Sequence, residues 1–269
     1  MVDSLSLPAI RAGSIDIARS LGLWRSWLLL ARQSIQGSYR RTVLGPFWIS
    51  VQQLVFIFGV GFLYSQLFKV RSADLLPVLG YGMLAWTLIS GLLTQAANLF
   101  VGAAQPIASS TLPLAFYPLQ EVATSLLSFL HSAAVMVIVP VLYGRSPTPF
   151  AAVLTPLALL LIVINGVAVA LWLGPLGARF RDLSTAITVS IPLFMFLTPV
   201  FWDPDQLPGR HWAVVVNPFA WPIQSFRDPL LGNSPDVLLW LLFVGATSVN
   251  CVVGLLTFSA TRRQIRYWL

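Results

Sequence analysis

The chain has 269 residues, of which 57% are hydrophobic and 9% charged. Soluble domains carry about 25% charged residues, so this composition, with a mean hydropathy of +0.81, excludes most soluble folds and fits a polytopic membrane protein. The net charge of +7 favours anionic lipid headgroups over nucleic acid as counter-charge in a chain this apolar. The single cysteine, Cys251, excludes an intramolecular disulfide, and its apolar neighbours predict a buried thiol. Arginines from Arg11 to Arg41 precede the first long apolar run, so no cleavable signal is expected.

Ile17, Leu21, Trp24, Leu28, Ala31 and Ile35 recur at helical spacing. They predict an amphipathic helix over Asp16–Ile35, lying in the membrane interface, with Ser14 as its N-cap and Asp16 in its first turn. Next comes the segment the rest is organised around: Arg40-Arg41, a Gly45-Pro46 corner, and an uncharged run over Phe47–Phe68. At ~1.5 Å per residue those residues reach about 33 Å, enough to cross a hydrocarbon core of roughly 30 Å. The chain divides accordingly into an N-terminal segment, residues 1–45, and a transmembrane domain, residues 46–269.

A second span is expected over Leu75–Leu93, then a proline-broken connector over Thr94–Gln120, then a third span over Val122–Leu142. The fourth span, Val153–Leu173, is expected to stop at Gly174-Pro175 and Gly177. The fifth, Leu183–Phe201, carries Pro192 and Pro199 and should kink or break. Trp202–Asp236 mixes prolines and aromatics with polar residues, the pattern of a re-entrant pair of short helices at the outer interface. The sixth span is Val237–Ser259, followed by a basic tail.

With both termini inside, the inner segments hold Arg11, Arg19, Arg25, Arg32, Arg40, Arg41, Arg179, Arg181, Arg262, Arg263 and Arg266. The outer ones hold only Lys69, Arg71, Arg145, Arg210 and Arg227. That is the positive-inside pattern. The fold class expected is therefore an all-α membrane protein with six transmembrane helices and cytoplasmic termini.

Absences bear on mechanism. None of the six apolar cores contains Asp, Glu, Lys or Arg, where ion-coupled carriers place ionisable groups. His131 reads as a packing hydrogen-bonder. The lone lysine, Lys69, follows Phe68 rather than the glycine of a phosphate-binding loop. A protein of this kind that does work takes its energy from another subunit. Asp203, Asp205, His211 and Asp228 match no metal-ligand spacing, so no metal, bound cofactor or catalytic role is expected. The absence of an internal repeat disfavours an inverted-repeat transporter. The positive signal is aromatic: Phe47, Trp48, Phe56, Phe58, Phe62 and Tyr64 lie on the first span, and Phe194, Phe196, Phe201 and Trp202 on the fifth. Flat faces with a negative quadrupole suit the C–H faces of sugars as well as lipid contact.

The segment Tyr39-Arg40-Arg41-Thr42-Val43-Leu44-Gly45-Pro46-Phe47-Trp48 resembles the start of the ABC-2 type polysaccharide export permeases, membrane subunits that export O-antigen, capsule and related glycans in bacteria. Ala178-Arg179-Phe180-Arg181-Asp182-Leu183, Phe196-Leu197-Thr198-Pro199-Val200-Phe201-Trp202, Asn217-Pro218-Phe219, Phe226-Arg227-Asp228-Pro229-Leu230-Leu231-Gly232 and Arg266-Tyr267-Trp268-Leu269 are similar to later family stretches. Thr42 stands where serine is commoner, and the Thr94–Gln120 connector is poor in charge.

The resemblance implies a multi-pass permease of the bacterial inner membrane, pairing as a homodimer and binding two copies of a cytoplasmic ABC ATPase that holds ATP and Mg. The cargo implied is a lipid-linked polysaccharide; the alternative is another lipid or a small hydrophobic substrate. Arg40 and Arg41 are expected at the cargo's pyrophosphate headgroup or as topology anchors. Phe47, Phe56, Phe194, Phe201 and Trp202 are expected along the channel. Trp24, Pro113 and Tyr117 are expected to couple to the ATPase, and Arg179 with Asp182 to form an inner-loop salt bridge. A membrane-embedded enzyme would need a paired acid and base that the sequence does not offer.

Overall fold

The computed structural model describes residues 6–40, 42–45, 47–69, 71–136, 147–202 and 211–269. Among them the chain is helical, with no strand. Two helices, α1 (Leu7–Gly22) and α2 (Trp24–Ser38), precede α3 (Phe47–Phe68), α4 (Ser72–Gly102) and the short α5 (Ala104–Ser109). Then follow α6 (Phe116–Met136), α7 (Ala151–Arg179), α8 (Asp182–Leu197), α9 (His211–Val216), α10 (Ala220–Leu231) and α11 (Val237–Trp268). Four helices, Phe47–Leu67, α4, α7 and α11, are long and apolar enough to cross a membrane. The last residues of the expected third span and the whole 203–210 stretch before α9 lie outside the described residues.

Several helices run further than hydropathy alone predicts. Thr94, Gln95 and Asn98 were expected to open a connector, yet α4 continues to Gly102. The reason is periodicity: Ala96, Ala97, Leu99 and Phe100 keep burying one face. In α7, Gly174, Pro175 and Gly177 do not stop the helix, which runs to Arg179. Gly177 is needed there for close approach, because a Cβ would collide with the carbonyl of Ala97 on α4. The basic tail is helical too, since Phe258 and Ile265 are both fully buried along α11. The fifth span is shorter than expected: α8 ends at Leu197, and Thr198–Val200 form a turn.

α4 is the hub. It packs against α3, α6, α7, α8 and α10. Its apolar stretch is 78% buried, against 22% for both α3 and α11. The hub is thus a core helix, while α3 and α11 offer apolar faces outward. Cys251 lies on one of those outward faces and is exposed, not buried as its neighbours predict. Apolar neighbours mark a lipid-facing position as well as a core one.

The amphipathic segment is two helices rather than one. α1 starts at Leu7, so Ser14 is not an N-cap: its hydroxyl donates to the Arg11 carbonyl. The apolar face of α2 turns inward, with Ala31 and Ile35 buried and the helix packed on α6. Asp16 is not in a first turn either. It is buried, and its carboxylate accepts the Ala115 N–H at 2.9 Å and the Arg262 guanidinium at 2.9 Å. One side chain therefore joins α1, the connector before α6, and the last turns of α11.

This clamp predicts a graded series. Asp16→Asn keeps an acceptor for Ala115 but loses the charge facing Arg262, whereas Asp16→Ala loses both. Thermal unfolding of the purified chain in detergent should rank wild type above Asn above Ala, with the alanine variant losing about 2–3 kcal/mol. Equal midpoints for all three would refute the clamp.

Candidate functional site

The outward face of α3 carries Phe47, Trp48, Phe56, Phe58 and Phe62, all exposed. Ser50 fixes how this helix sits by donating its hydroxyl to the His131 carbonyl on α6 at 2.8 Å. The His131 ring packs edge-on against Phe47 at 6.5 Å, while its Nδ1 donates to the Leu127 carbonyl at 2.7 Å. The histidine is a packing hydrogen-bonder.

Beside α3, the turn after α8 brings the expected aromatic residues together. Phe201 lies 6.4 Å from Phe56, 6.2 Å from Tyr64 and 5.6 Å from Phe196, ring centre to ring centre. The Trp202 indole N–H donates to the Phe196 carbonyl at 3.4 Å. Phe194 belongs to a second group, 5.3 Å from Phe219, which in turn packs edge-on against Trp86 at 5.8 Å. Of the five expected rings, Phe56, Phe201 and Trp202 share one cluster, Phe194 a neighbouring one, and Phe47 stands apart.

The turn that carries Phe201 and Trp202 is held by a polar network, half-buried at Asn217 and buried at Arg227. Asn217 donates its side-chain amide to the Leu197 carbonyl and to the Thr198 hydroxyl, both at 3.1 Å. Its own carbonyl oxygen accepts the Phe219 N–H at 3.0 Å. From α10, Arg227 donates to the Pro199 carbonyl at 2.7 Å. Hydropathy placed Arg227 among outer-loop charges; instead it is 2% exposed, the largest fully buried side chain described. Its Nε lies 3.5 Å from the Asp228 carboxylate, an ion-pair distance at which no hydrogen bond forms. Gly82 on α4 makes room, since a Cβ there would sit 2.9 Å from the Val200 carbonyl and 3.6 Å from the guanidinium. A cation this deep is costly unless paired, so the sequence signal was available: an arginine inside an otherwise apolar short helix with an adjacent aspartate.

The other expected residues are placed as follows. Arg40 is exposed just beyond α2; Arg41 and Pro46 lie outside the described residues. Gly45 takes the left-handed conformation, φ 54°, consistent with a corner before α3. Trp24 is exposed, with Arg25 stacked 5.3 Å over its ring. Pro113 is half-buried, and Tyr117 is buried, its hydroxyl 3.0 Å from that of Ser110, so it shapes the connector rather than offering a surface. Arg179 and Asp182 form no ion pair. The guanidinium instead lies over the rings of Phe180 at 5.2 Å and Trp268 at 5.7 Å, which tie the end of α7 to the end of α11. Glu121 was missed: it sits in the second turn of α6 and lines the cleft between α4 and α6 with Gln95 and Thr124. Among the described residues no group of His, Cys, Asp and Glu is arranged to hold a metal ion.

The ABC-2 type transporter family model matches residues 25–231. An O-antigen export system permease protein RfbA of Klebsiella pneumoniae is 26% identical over 250 residues, spanning 91% of this chain and 96% of that protein. A second from the same species is 24% identical over 248 residues, spanning 91% of this chain and 96% of its own length. The Myxococcus xanthus protein of the same name is 23% identical over 217 residues, covering 79% of this chain and 83% of its own. The motifs at α3 and around the α8–α10 turn fall inside the matched range, and this multi-pass membrane protein belongs to the ABC-2 type transporter family.

Proposed function

We propose that the chain is the membrane permease of an ATP-driven exporter that moves lipid-linked polysaccharide, an O-antigen or related surface glycan, across the bacterial inner membrane. The observation that carries this reading is the near full-length similarity to O-antigen export permeases, combined with an aromatic face on α3 that the described residues leave largely exposed. In this reading α3, α4, α6, α7, α8 and α11 are the six spans, with both termini cytoplasmic and α9–α10 re-entrant from outside. The distribution of arginines supports that orientation. A second copy related by a two-fold axis would close α3 and the Phe56–Phe201 cluster into a channel. Two copies of a cytoplasmic ABC ATPase would supply the power stroke, meeting the permease at α1–α2 and at the connector around α5.

Sugar rings stack on aromatic faces without being gripped, so a polymer can slide. Arg40 and Arg41 precede the channel helix at the cytoplasmic headgroup layer, where a pyrophosphate would arrive. A second reading, export of another lipid or a small hydrophobic compound, is favoured by one feature: an apolar cavity of about 340 Å³ between α4, α7, α10 and α11, into which Asn165, Asn250 and Trp172 face.

The deciding experiment reconstitutes the chain with its genomic-neighbour ATPase and follows ATP-dependent movement of lipid-linked polysaccharide across vesicles. Movement of a lipid lacking the glycan, with none of the glycan-bearing form, would favour the second reading. In that assay Phe56→Ala with Phe201→Ala should slow export about fivefold or more, the size of one lost aromatic contact, while ATPase assembly persists. Arg40→Ala with Arg41→Ala should lower export about tenfold through lost charge-assisted hydrogen bonds, without loss of membrane insertion; wild-type export would discard their headgroup role. Arg227→Ala should act differently, cutting thermal stability by about 3 kcal/mol because the buried Pro199 carbonyl loses its donor and the half-buried Asp228 carboxylate its neighbouring cation.

A further inference from the structure

A cleft of about 800 Å³ opens where the two ends of the chain meet, between α1, the 111–114 loop and the last turns of α11. Its walls carry Arg19, Arg262, Arg263 and Arg266 against a single described carboxylate, Asp16. Asp16 is already committed to Arg262 and Ala115. Arg19, Arg263 and Arg266 are exposed to the cleft. Arg263 and Arg266, one turn apart on α11, share the cleft with Arg19 on α1, and like charges lining one cleft repel unless an anion sits among them.

The depth of the cleft narrows the choice of anion. The apolar run of α11 ends near Ala260, so Arg262 to Arg266 stand roughly 3–9 Å beyond it along the axis. That is the thickness of a headgroup layer, which adds about 5–8 Å to each side of the hydrocarbon core. Tyr267, 88% exposed, and Trp268 beside it have the composition of an interfacial belt. Guanidinium forks match phosphate oxygens two at a time. A basic pocket at this level of a helix bundle suits a phosphate-bearing lipid better than an acidic peptide, which would have to enter the headgroup layer.

We propose that this cleft binds the phosphate headgroup of an anionic bilayer phospholipid. Because Asp16 and Arg262 form its wall, an occupied cleft braces α1 against α11 and the connector before α6. The inference rests on the proposed function only for the orientation of α11 in a membrane; it requires neither glycan nor ATPase.

The test uses the full chain in mixed micelles. Phosphatidylglycerol and cardiolipin should stay bound in native mass spectrometry and raise the unfolding midpoint, phosphatidylcholine should do neither, and added salt should weaken the effect. Arg263→Gln with Arg266→Gln should lower affinity for phosphatidylglycerol about thirtyfold, from roughly 1 kcal/mol per arginine, while its midpoint in phosphatidylcholine matches wild type. Arg19→Gln serves if the double variant does not fold. Equal retention of both lipid classes, or undiminished binding by the variants, would overturn the proposal. So would displacement of phosphatidylglycerol by a lipid-linked pyrophosphate at equal concentration, which would make the cleft a cargo site. Failure of glycan export with these lipid preferences intact would count against the proposed function alone.

Discussion

Asp16 sits on the first helix, yet the groups that neutralise it come from the middle of the chain and from its last helix. A carboxylate withdrawn from water loses several kcal/mol of hydration, and only well-placed donors return it. Here each oxygen has one: a backbone N–H that opens the segment before α6, and a guanidinium one turn past the apolar run of α11. Moving α1 away would strand a charge and a cation together. The N-terminal helices are therefore not a loose float on the surface. Displacing α1 would break both contacts at once, because the same carboxylate holds the connector and α11.

The same logic operates at the other buried charge. Arg227 is surrounded by protein, and its hydrogen bond goes to a carbonyl freed by the chain reversal after α8. Pro199 interrupts regular helical bonding, and the arginine with Asn217 takes up the groups so released. The result is a held turn that packs Phe201 into the core, with Trp202 partly buried beside it. That burial contrasts with the bare face of α3, whose burial lies far below that of α4.

Much of this was legible in the residues. Length, hydropathy and charge identify the apolar helices, and the Gly45-Pro46 corner locates the start of α3 to the residue. Of the rings expected along the channel, Phe56, Phe201 and Trp202 lie together, while Phe194 joins a neighbouring group and Phe47 stands apart. Helix ends were read less well. Hydropathy cannot tell a polar connector from the amphipathic end of a long helix, so Thr94–Gly102 is assigned to the connector and Thr261–Trp268 falls outside the sixth span. Proline and glycine in Gly174–Gly177 were read as a stop, when close packing against Ala97 uses them inside a helix. Side-chain pairing was the least legible. Arg179 had a nearby acid in sequence but found two aromatic rings in space, and the partner of Asp16 lies 246 positions away.

The outward position of Cys251 has a practical sequel. With a single thiol in the chain, a spin label or fluorophore can be attached to α11 without first removing other cysteines. In a symmetric pair, two such labels define one separation, and its change between nucleotide-free and ATP-loaded assemblies would report whether the peripheral helices swing as the exporter turns over.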